Sequence, residues 1–265
     1  MGTAPFAVPS LRALAAAGHE IPLVVTQPDR PGHRLKLTPP AVKVAAQELG
    51  LPVLQPERIR EPAVVESLRK AAPELIVVVA YGQIIPRSVL EIPRRGVLNV
   101  HASLLPRWRG AAPVAHAILA GDQLTGVTIM QMDEQLDHGP VLAQSEPVPI
   151  GPGADAPALT EHLAGVGAQL LVDTIARLDD LEPREQDHER ASTAPKLSRE
   201  DGELDWNLPP AEIDRRVRAF QPWPGVTLPI DGQRVKVLRG RVEGDRYIPE
   251  LVQAPGGRPR VIDGR

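Results

Sequence analysis

The sequence predicts an α/β fold with a mostly parallel sheet, followed by a small β-rich C-terminal domain. Apolar runs such as LIVVVA at 75–80 and VLNVH at 97–101 alternate with helical segments, and several runs are apolar on both faces. That pattern is typical of parallel strands covered by helices on both sides. Near the C-terminus, short β-prone runs alternate with Gly and Asp turns such as IDGQ, which predicts a small barrel or meander.

Glycines and a change of periodicity delimit the elements of the first part of the chain. Gly18, Gly50 and Gly121 each follow a helical pattern, as glycines after the last helical turn commonly do. The predicted elements in chain order are helix 8–18, strand 21–26, helix 41–49, strand 52–54, helix 62–71, strand 75–80, strand 97–101, helix 113–120 and helix 156–178.

Two further strands interrupt the alternation of strands and helices. The segments TGVTIMQM at 125–132 and GPVLAQSEPVPI at 139–150 follow one another without a helix between them. This favours an antiparallel extension at one edge of the sheet. The composition then turns polar from 181 to 208, which is typical of a linker, and a helix at 209–219 precedes the β-rich tail.

Composition excludes several classes of function. The 265 residues include no cysteine, so disulfides, zinc–thiolate sites and thiol nucleophiles are excluded. The formal net charge of −3 argues against a general nucleic-acid coat, although a local basic patch can still bind RNA. No apolar run approaches the roughly 20 residues that span a bilayer, and no secretory signal is visible at the N-terminus. We expect a cytoplasmic protein.

Polar side chains stand at the end of the predicted strand 97–101. Asn99 and His101 are two residues apart, so they project to the same side of that strand. Asp137 lies in the predicted turn between the two edge strands, from where it can approach the same crevice. An amide, an imidazole and a carboxylate can together hold a developing oxyanion and move a proton. None of the three is a natural covalent nucleophile here, so the set suits direct attack of a substrate amine on an acyl carbon.

Structural explanations of the same residues stay open at this point. An Asn or a His at a strand end is more often a turn or capping group than a catalyst, and Asp-x-Gly is an ordinary turn signal. A metal site built from His101, His116, Asp137 and His138 is conceivable, but no pair has the close ligand spacing of known metal motifs. We therefore predict no metal.

Long motifs around these residues resemble those of a known protein family. NVHASLLPRWRGAAPVAHAILAGD at 99–122, followed by TGVTIMQMDEQLDHG at 125–139, resembles the signature of the folate-dependent formyltransferases. APKLSREDGELDW at 194–206 and RVRAFQPWPG at 216–225 resemble the branch of that family that acts on methionyl-tRNA. The resemblance implies a Rossmann-like catalytic domain at 1–180, a linker at 181–208 and an OB-like, tRNA-binding β-barrel domain at 209–265.

The resemblance also implies the reaction and its residues. The expected activity is transfer of the formyl group of 10-formyltetrahydrofolate to the amino group of initiator methionyl-tRNA, for translation initiation, by a monomeric enzyme. Asn99, His101 and Asp137 fall on the family's catalytic triad. The segments that match the folate-contacting loops are Gln83, Ile84, Ile85 and Pro86, and Ser103, Leu104, Leu105 and Pro106.

The tRNA is expected to contact a basic, proline-rich loop at 27–43. The cations of that loop can pair with phosphates, and Arg107 and Arg109 beside Trp108 are candidates to meet the 3′ end of the tRNA. The residues of the loop that the resemblance assigns to tRNA are Arg30, His33, Arg34, Lys36 and Lys43.

Some positions depart from the family pattern. Family members carry a short apolar strand ahead of the Met-Gly-Thr motif and further strands at the C-terminus, so we expect the first strand to be absent and the barrel to be truncated. Gln135 stands where the family usually has Gly, and His138 where it usually has Thr.

Three other functions remain open at the level of sequence. A hydrolase variant would pass the formyl group to water. A sister enzyme would formylate a small amine, such as an amino sugar or a nucleotide, with the same triad. A non-catalytic RNA-binding remnant would keep the tRNA contacts and lose the reaction.

Overall fold

The computed structural model describes residues 1–31 and 37–262. Its helices have the following bounds: α1 Val8–Ala16, α2 Ala41–Glu48, α3 Pro62–Lys70, α4 Arg87–Leu90, α5 Pro113–Ala120, α6 Ala156–Ala176 and α7 Pro210–Ala219. Its strands are β1 Val24–Val25, β2 Arg30–Pro31, β3 Leu37–Thr38, β4 Val53–Leu54, β5 Ile76–Val78, β6 Val97–His101, β7 Arg109–Gly110, β8 Leu124–Thr125, β9 Thr128–Gln131, β10 Val141–Gln144, β11 Val148–Pro149, β12 Thr193–Ala194, β13 Val226–Ile230, β14 Gln233–Glu243, β15 Arg246–Gln253 and β16 Arg260–Val261.

The chain divides into two compact units, each built from three segments. The first unit comprises Met1–Arg109, Gly126–Glu146 and Glu161–Ala191, and we call it the catalytic unit. The second comprises Gly110–Thr125, Pro147–Thr160 and Ser192–Arg265, and we call it the C-terminal unit. Part of the segment 181–208, predicted as a linker, therefore packs with the catalytic unit.

The sheet of the catalytic unit confirms the predicted α/β class. β5 and β6 are parallel, as are β1 and β4, and β9 and β10 extend the sheet in the antiparallel sense beyond β6. Gly2 forms a parallel bridge with Val79, and its N–H donates to the carbonyl of Val25. Met1 and Gly2 thus connect β1 with β5.

The apolar core of the catalytic unit lies beside the parallel strands. Val25, Val78 and Val97 contribute from the strands, and Val65 and Leu68 from α3. The buried positions of α3 lie three and four residues apart, so one stripe of the helix faces the core. Burying these side chains is what holds the strand ends in place.

The two edge strands are shorter than predicted. The segment 125–132 splits into β8 and β9, and 139–150 splits into β10 and β11, so that β8 and β11 form a separate antiparallel pair. Gly126 stands at the first break, where an added Cβ would lie 2.6 Å from the Leu104 side chain. The side chain of Ser145 stands at the second break and accepts a hydrogen bond from the N–H of Val127.

The C-terminal unit contains the predicted β-rich tail. β13, β14, β15 and β16 form an antiparallel meander in that order. α7 packs against β14 and β15, with Ile213 and Val217 on its buried face. A hairpin between β13 and β14 turns at Asp231 and Gly232, both with positive φ.

Candidate active site

The two polar residues of β6 lie buried at the carboxyl end of the parallel part of the sheet. In the antiparallel pairing with β9, Asn99 stands opposite Met130 and His101 opposite Thr128. The side-chain period of a strand is two, so both side chains leave β6 on one face. Asn99 is 9% exposed and His101 is 5% exposed. The sequence spacing therefore places them as predicted.

Asp137 meets both of them from the turn between β9 and β10. The amide Nδ2 of Asn99 donates to Oδ1 of Asp137 at 3.2 Å. The other carboxylate oxygen, Oδ2, lies 3.6 Å from Nδ1 of His101. The side chains of His101 and Asp137 are only 6% and 10% exposed, so water screens this charge little. The structure thus brings the three predicted catalytic residues together.

The second nitrogen of His101 fixes the orientation of the imidazole. Nε2 lies 2.8 Å from the main-chain oxygen of Trp108. A carbonyl oxygen only accepts, so Nε2 carries a hydrogen and Nδ1 faces the carboxylate. Trp108 has a φ of 64°, unusual for a residue with a side chain, and its loop is closed by a bond from Ser103 Oγ to the Arg107 carbonyl.

The residues from Asp133 to Gly139 form what we call the catalytic turn. Oδ1 of Asp133 accepts a hydrogen bond from the N–H of Gln135 at 2.8 Å, and Oδ2 lies 2.7 Å from Nδ1 of His138. Asp137 has a φ of 47°, in the left-handed region. At Gly139 an added Cβ would overlap the carbonyl oxygen of Gln131. The turn therefore approaches β9 so closely that only glycine fits at position 139.

A group of side chains behind the catalytic turn was not predicted from the sequence. Gln186 is 6% exposed, and its amide contacts main-chain oxygens of the turn as well as the guanidinium of Arg109. Nδ1 of His188 lies 2.8 Å from Nη2 of Arg109, and its ring stacks on His138 with centroids 4.1 Å apart. Gln186 and His188 lie in a polar stretch without periodicity, where no sequence signal distinguishes them from solvated residues.

The loop after β6 contains the first predicted folate segment, Ser103–Pro106. The hydroxyl of Thr128 donates to the carbonyl of Ser103 at 2.7 Å and accepts from the N–H of Leu105 at 3.0 Å. The amide of Gln144 donates to the carbonyl of Leu105 at 2.8 Å. Ser103 and Leu105 are buried, while Leu104 and Pro106 are partly exposed. Neighbouring strands therefore hold the backbone of this loop through their side chains.

The second predicted folate segment, Gln83–Pro86, follows the adjacent strand β5. Gln83 uses its amide internally, because Oε1 accepts from the N–H of Ile59 at 2.8 Å and Nε2 donates to the carbonyl of Glu57 at 3.2 Å. Ile85 is buried in the core, whereas Ile84 is 86% exposed. The exposed side chain of Ile84 therefore provides an apolar surface beside a loop whose backbone is held in place. A flat heterocycle such as a pterin can pack against a surface of this kind.

Two of the five predicted tRNA contacts lie in the described part of the chain. Arg30 pairs with Glu57 at 2.8 Å with both side chains exposed, and Nζ of Lys43 lies 2.8 Å from Oδ2 of Asp29. Hydrogen bonds from Gln55 and Lys43 lower the pKa of Asp29. The other three, His33, Arg34 and Lys36, lie outside the described residues.

Residues 1–31 and 37–262 include no membrane-spanning helix and no metal-binding cluster of side chains. Within these ranges no helix has both the length and the apolar character needed to cross a bilayer. The same ranges contain no group of three or more His, Asp or Glu side chains arranged to hold a metal ion.

The chemistry of the site follows from its donors and acceptors. Asn99 supplies an amide N–H, His101 an imidazole, and Asp137 a carboxylate that contacts both. Donors in a largely buried site stabilise negative charge on an oxygen more strongly than they do in water. A carboxylate beside them can receive a proton from an attacking group or hold the imidazole. The arrangement therefore suits addition of a nucleophile to a carbonyl carbon.

Comparison with known proteins identifies the family. Residues 1–175 match the sequence model of the formyl transferase family, and residues 196–262 match the model of the formyl transferase C-terminal domain. A methionyl-tRNA formyltransferase of Chloroflexus aurantiacus is 52% identical over 271 aligned residues, covering 100% of this chain and 87% of that protein. A methionyl-tRNA formyltransferase of Geobacter sulfurreducens is 47% identical, covering 100% of this chain and 84% of that protein.

A solved structure shares the fold at lower identity. The N-formyltransferase of Helicobacter canadensis, crystallised with folinic acid and dTDP-3-aminofucose, superimposes with a TM-score of 0.70 at 19% identity, covering 99% of this chain and 94% of that one. This likeness bears on the fold alone. The family matches over most of the sequence and the relatives at about half identity lead to one conclusion: the chain belongs to the formyl transferase family.

Proposed function

We propose that this protein transfers the formyl group of 10-formyltetrahydrofolate to the amino group of methionyl-tRNA. Relatives of that name cover the whole chain at about half identity, whereas the structural neighbour that carries an amino sugar is 19% identical. The single observation that carries the proposal is the convergence of Asn99, His101 and Asp137 in a chain of this family. Initiator tRNA is the proposed acceptor.

The three residues take different parts in the proposed reaction. As the amine of the methionine attacks the formyl carbon, the formyl oxygen gains negative charge. The amide of Asn99 and the imidazole of His101 stabilise that oxygen. Asp137 holds His101, receives the proton that the attacking amine loses, and helps to relay it to the folate nitrogen as the bond between that nitrogen and the formyl carbon breaks. No side chain forms a covalent bond with the formyl group, so one addition and one elimination complete the transfer.

The folate supplies an activated formyl group bound to nitrogen. We assign its binding to Ser103–Pro106 and Gln83–Pro86, which follow adjacent parallel strands and therefore emerge at the same edge of the sheet. The hydrogen bonds of Thr128 and Gln144 keep the first loop in place, and Ile84 offers the second loop's apolar contact. The backbone of both loops thus orients the donor toward His101.

The tRNA side of the proposal rests on the basic loop and on the C-terminal domain. Arg30, His33, Arg34, Lys36 and Lys43 are assigned to phosphates of the acceptor stem. The domain boundaries at 180 and 208, the monomeric state and the cytoplasmic location belong to the same proposal, because they come with the family resemblance and with a role in translation.

The test is transfer of a labelled formyl group from 10-formyltetrahydrofolate by the purified protein. Methionyl-tRNA and an amino-sugar nucleotide are supplied separately as acceptors, and formate is measured with no acceptor. We expect label on methionyl-tRNA and a loss of about 10²–10⁴-fold in His101→Ala, but none in His162→Ala, which changes an exposed histidine of α6.

Three outcomes would overturn the proposal. Label on the amino sugar alone would identify a small-molecule enzyme. Formate release without an acceptor would identify a hydrolase. Binding of tRNA without any turnover would identify a non-catalytic protein.

A further inference from the structure

We infer that Gln186 is a positioning residue for the formyl transfer, which acts by holding the catalytic turn so that Asp137 faces Asn99 and His101. This inference rests on the proposed function. Nε2 of Gln186 donates to the carbonyl of Asp137 at 2.9 Å and to the carbonyl of Gly139 at 2.7 Å. One side-chain amide therefore bridges the main chain on both sides of His138.

The orientation of this amide is fixed by Arg109. Oε1 of Gln186 accepts from Nε of Arg109 at 3.1 Å and from Nη2 at 2.7 Å. A guanidinium only donates, so the amide oxygen must face Arg109 and the NH₂ group must face the turn. Both hydrogens and both lone pairs of the amide are used. Because the side chain is 6% exposed, water cannot replace these partners cheaply.

The main chain places Gln186 opposite the turn. Arg184 forms an isolated antiparallel bridge with Val141, with reciprocal N–H···O bonds of 2.8 Å. In that register, Gln186 stands two residues beyond the bridge and Gly139 two residues before it. The segment around Gln186 thus pairs with the start of β10. This places the side chain of Gln186 beside the catalytic turn, which directly precedes β10 in the chain.

The turn needs an external restraint because of its own backbone. Asp137 has a φ of 47°, in the left-handed region that residues with a side chain rarely adopt. Its carbonyl points to Gln186, while its carboxylate points to Asn99 and His101. If the carbonyl were released, the residue would relax toward negative φ and the carboxylate would move away from the imidazole. A shift of about 1 Å in a catalytic group can lower the rate by about 10²-fold.

The substitution Gln186→Glu tests this role at nearly constant volume. A carboxylate keeps the acceptors that face Arg109 but replaces the NH₂ group with an oxygen that repels the carbonyls of Asp137 and Gly139. We expect kcat for methionyl-tRNA formylation to fall about 10–100-fold, with the KM of each substrate changing less than about threefold. Gln169→Glu is the matched control, since Gln169 is exposed on α6 and its amide donates to Asp173.

A double-mutant cycle separates positioning from a general structural effect. If Gln186 acts through Asp137, then Gln186→Glu should lower the residual single-turnover rate of Asp137→Asn by less than about twofold. Equal losses in both backgrounds would overturn the inference, as would a kcat of Gln186→Glu equal to that of the wild type. Gln186→Met, which lacks both donors and charge, should repeat the loss of kcat.

Folding of the variants is part of the same test. Thermal unfolding of both Gln186 variants is followed beside the wild type. If both variants are unfolded at the assay temperature, Gln186 belongs to the fold and the inference is overturned. If the wild-type protein itself transfers no formyl group, the proposed function fails, which is a result distinct from either outcome.

Discussion

The catalytic turn and the two described ends of the basic segment at 29–43, which carry Arg30 and Lys43, hold their charged groups by different means. In the turn, Asp137 is 10% exposed and contacts Asn99 and His101 directly, while a buried glutamine holds its backbone. In the basic segment, Arg30 is paired with Glu57 on an open surface, with more than half of each side chain exposed. Surface ion pairs of this kind contribute about 0–1 kcal/mol.

The difference matches what each region must do. A group that stabilises a transition state has to be in place before the reaction, and buried hydrogen bonds achieve that. A group that contacts a phosphate backbone has to leave its resting partner, and a solvent-screened ion pair allows this at little cost. Substitutions in the turn should therefore affect turnover, and substitutions in the basic segment should affect acceptor binding.

The largest effect is expected for Asp137→Asn. The amide keeps the shape of the side chain but removes the charge beside His101 and the group that receives a proton. We expect kcat/KM to fall about 10³-fold, while the midpoint of thermal unfolding changes by about 2 °C or less. Single-turnover transfer and calorimetry measure the two quantities. Asp180→Asn, at an exposed position, is the control; a loss under tenfold for Asp137→Asn would show that the carboxylate is dispensable.

Thr128→Val, in the buried region around the catalytic residues, should have an intermediate effect on stability and on folate binding. The change keeps the volume but removes the hydroxyl that joins the carbonyl of Ser103 to the N–H of Leu105. Leaving these groups unpaired costs about 1–3 kcal/mol, which corresponds to a fall in Tm of roughly 3–8 °C. We expect the KM for the folate to rise more than the KM for tRNA, as measured by steady-state kinetics.

The control for Thr128 is Thr26→Val. The hydroxyl of Thr26 is also buried but has no hydrogen-bond partner among the described residues. Its replacement should leave Tm unchanged or raise it. If both valine variants lost stability equally, burial rather than the hydrogen bonds would explain the result at Thr128.

The smallest effect is expected for Lys43→Met in the basic segment. We expect kcat to stay unchanged and the KM for tRNA to rise about 3–10-fold, with a log–log salt dependence shallower by about 1. Lys70→Met, at the exposed end of α3, is the control. A fall in kcat with an unchanged KM would contradict the contrast between the two regions.

The same variant should change how stability depends on pH. Lys43 helps to lower the pKa of Asp29, so its removal raises that pKa toward the usual 3.8. A depressed carboxyl pKa contributes stability above the unfolded value, and this contribution is lost as pH falls through the folded value. The wild type should therefore exceed the variant in stability at neutral pH, and the difference should shrink below about pH 4 in urea titrations.

The sequence predicted that Asn99 and His101 lie together because local geometric rules determine where their side chains point. A period of two places Asn99 and His101 on one face, and parallel strand ends meet at one edge of a sheet. The approach of Asp137 depended on recognising the antiparallel edge strands. The same reasoning did not find Gln186, because its importance comes from a bridge between Arg184 and Val141, forty-three positions apart in the chain, that no periodicity reveals.

The proposed folate segment Gln83–Pro86 illustrates a second limit. The resemblance assigns the segment to the folate without giving a task to each residue. Gln83 is committed to the N–H of Ile59, and only the three-dimensional structure reveals that partner. The splitting of both edge strands escaped prediction for a related reason: it depends on the contact between the N–H of Val127 and the hydroxyl of Ser145 across the pair.

Gly139 limits which residue can stand two positions after the acid. At 139 the space is already filled by the oxygen of Gln131, and a single methyl group there would lift the whole loop away from the sheet. The position of the acid therefore depends on a nearby residue that has no chemistry of its own, and the absence of a side chain at that residue is what keeps the acid within reach of the imidazole.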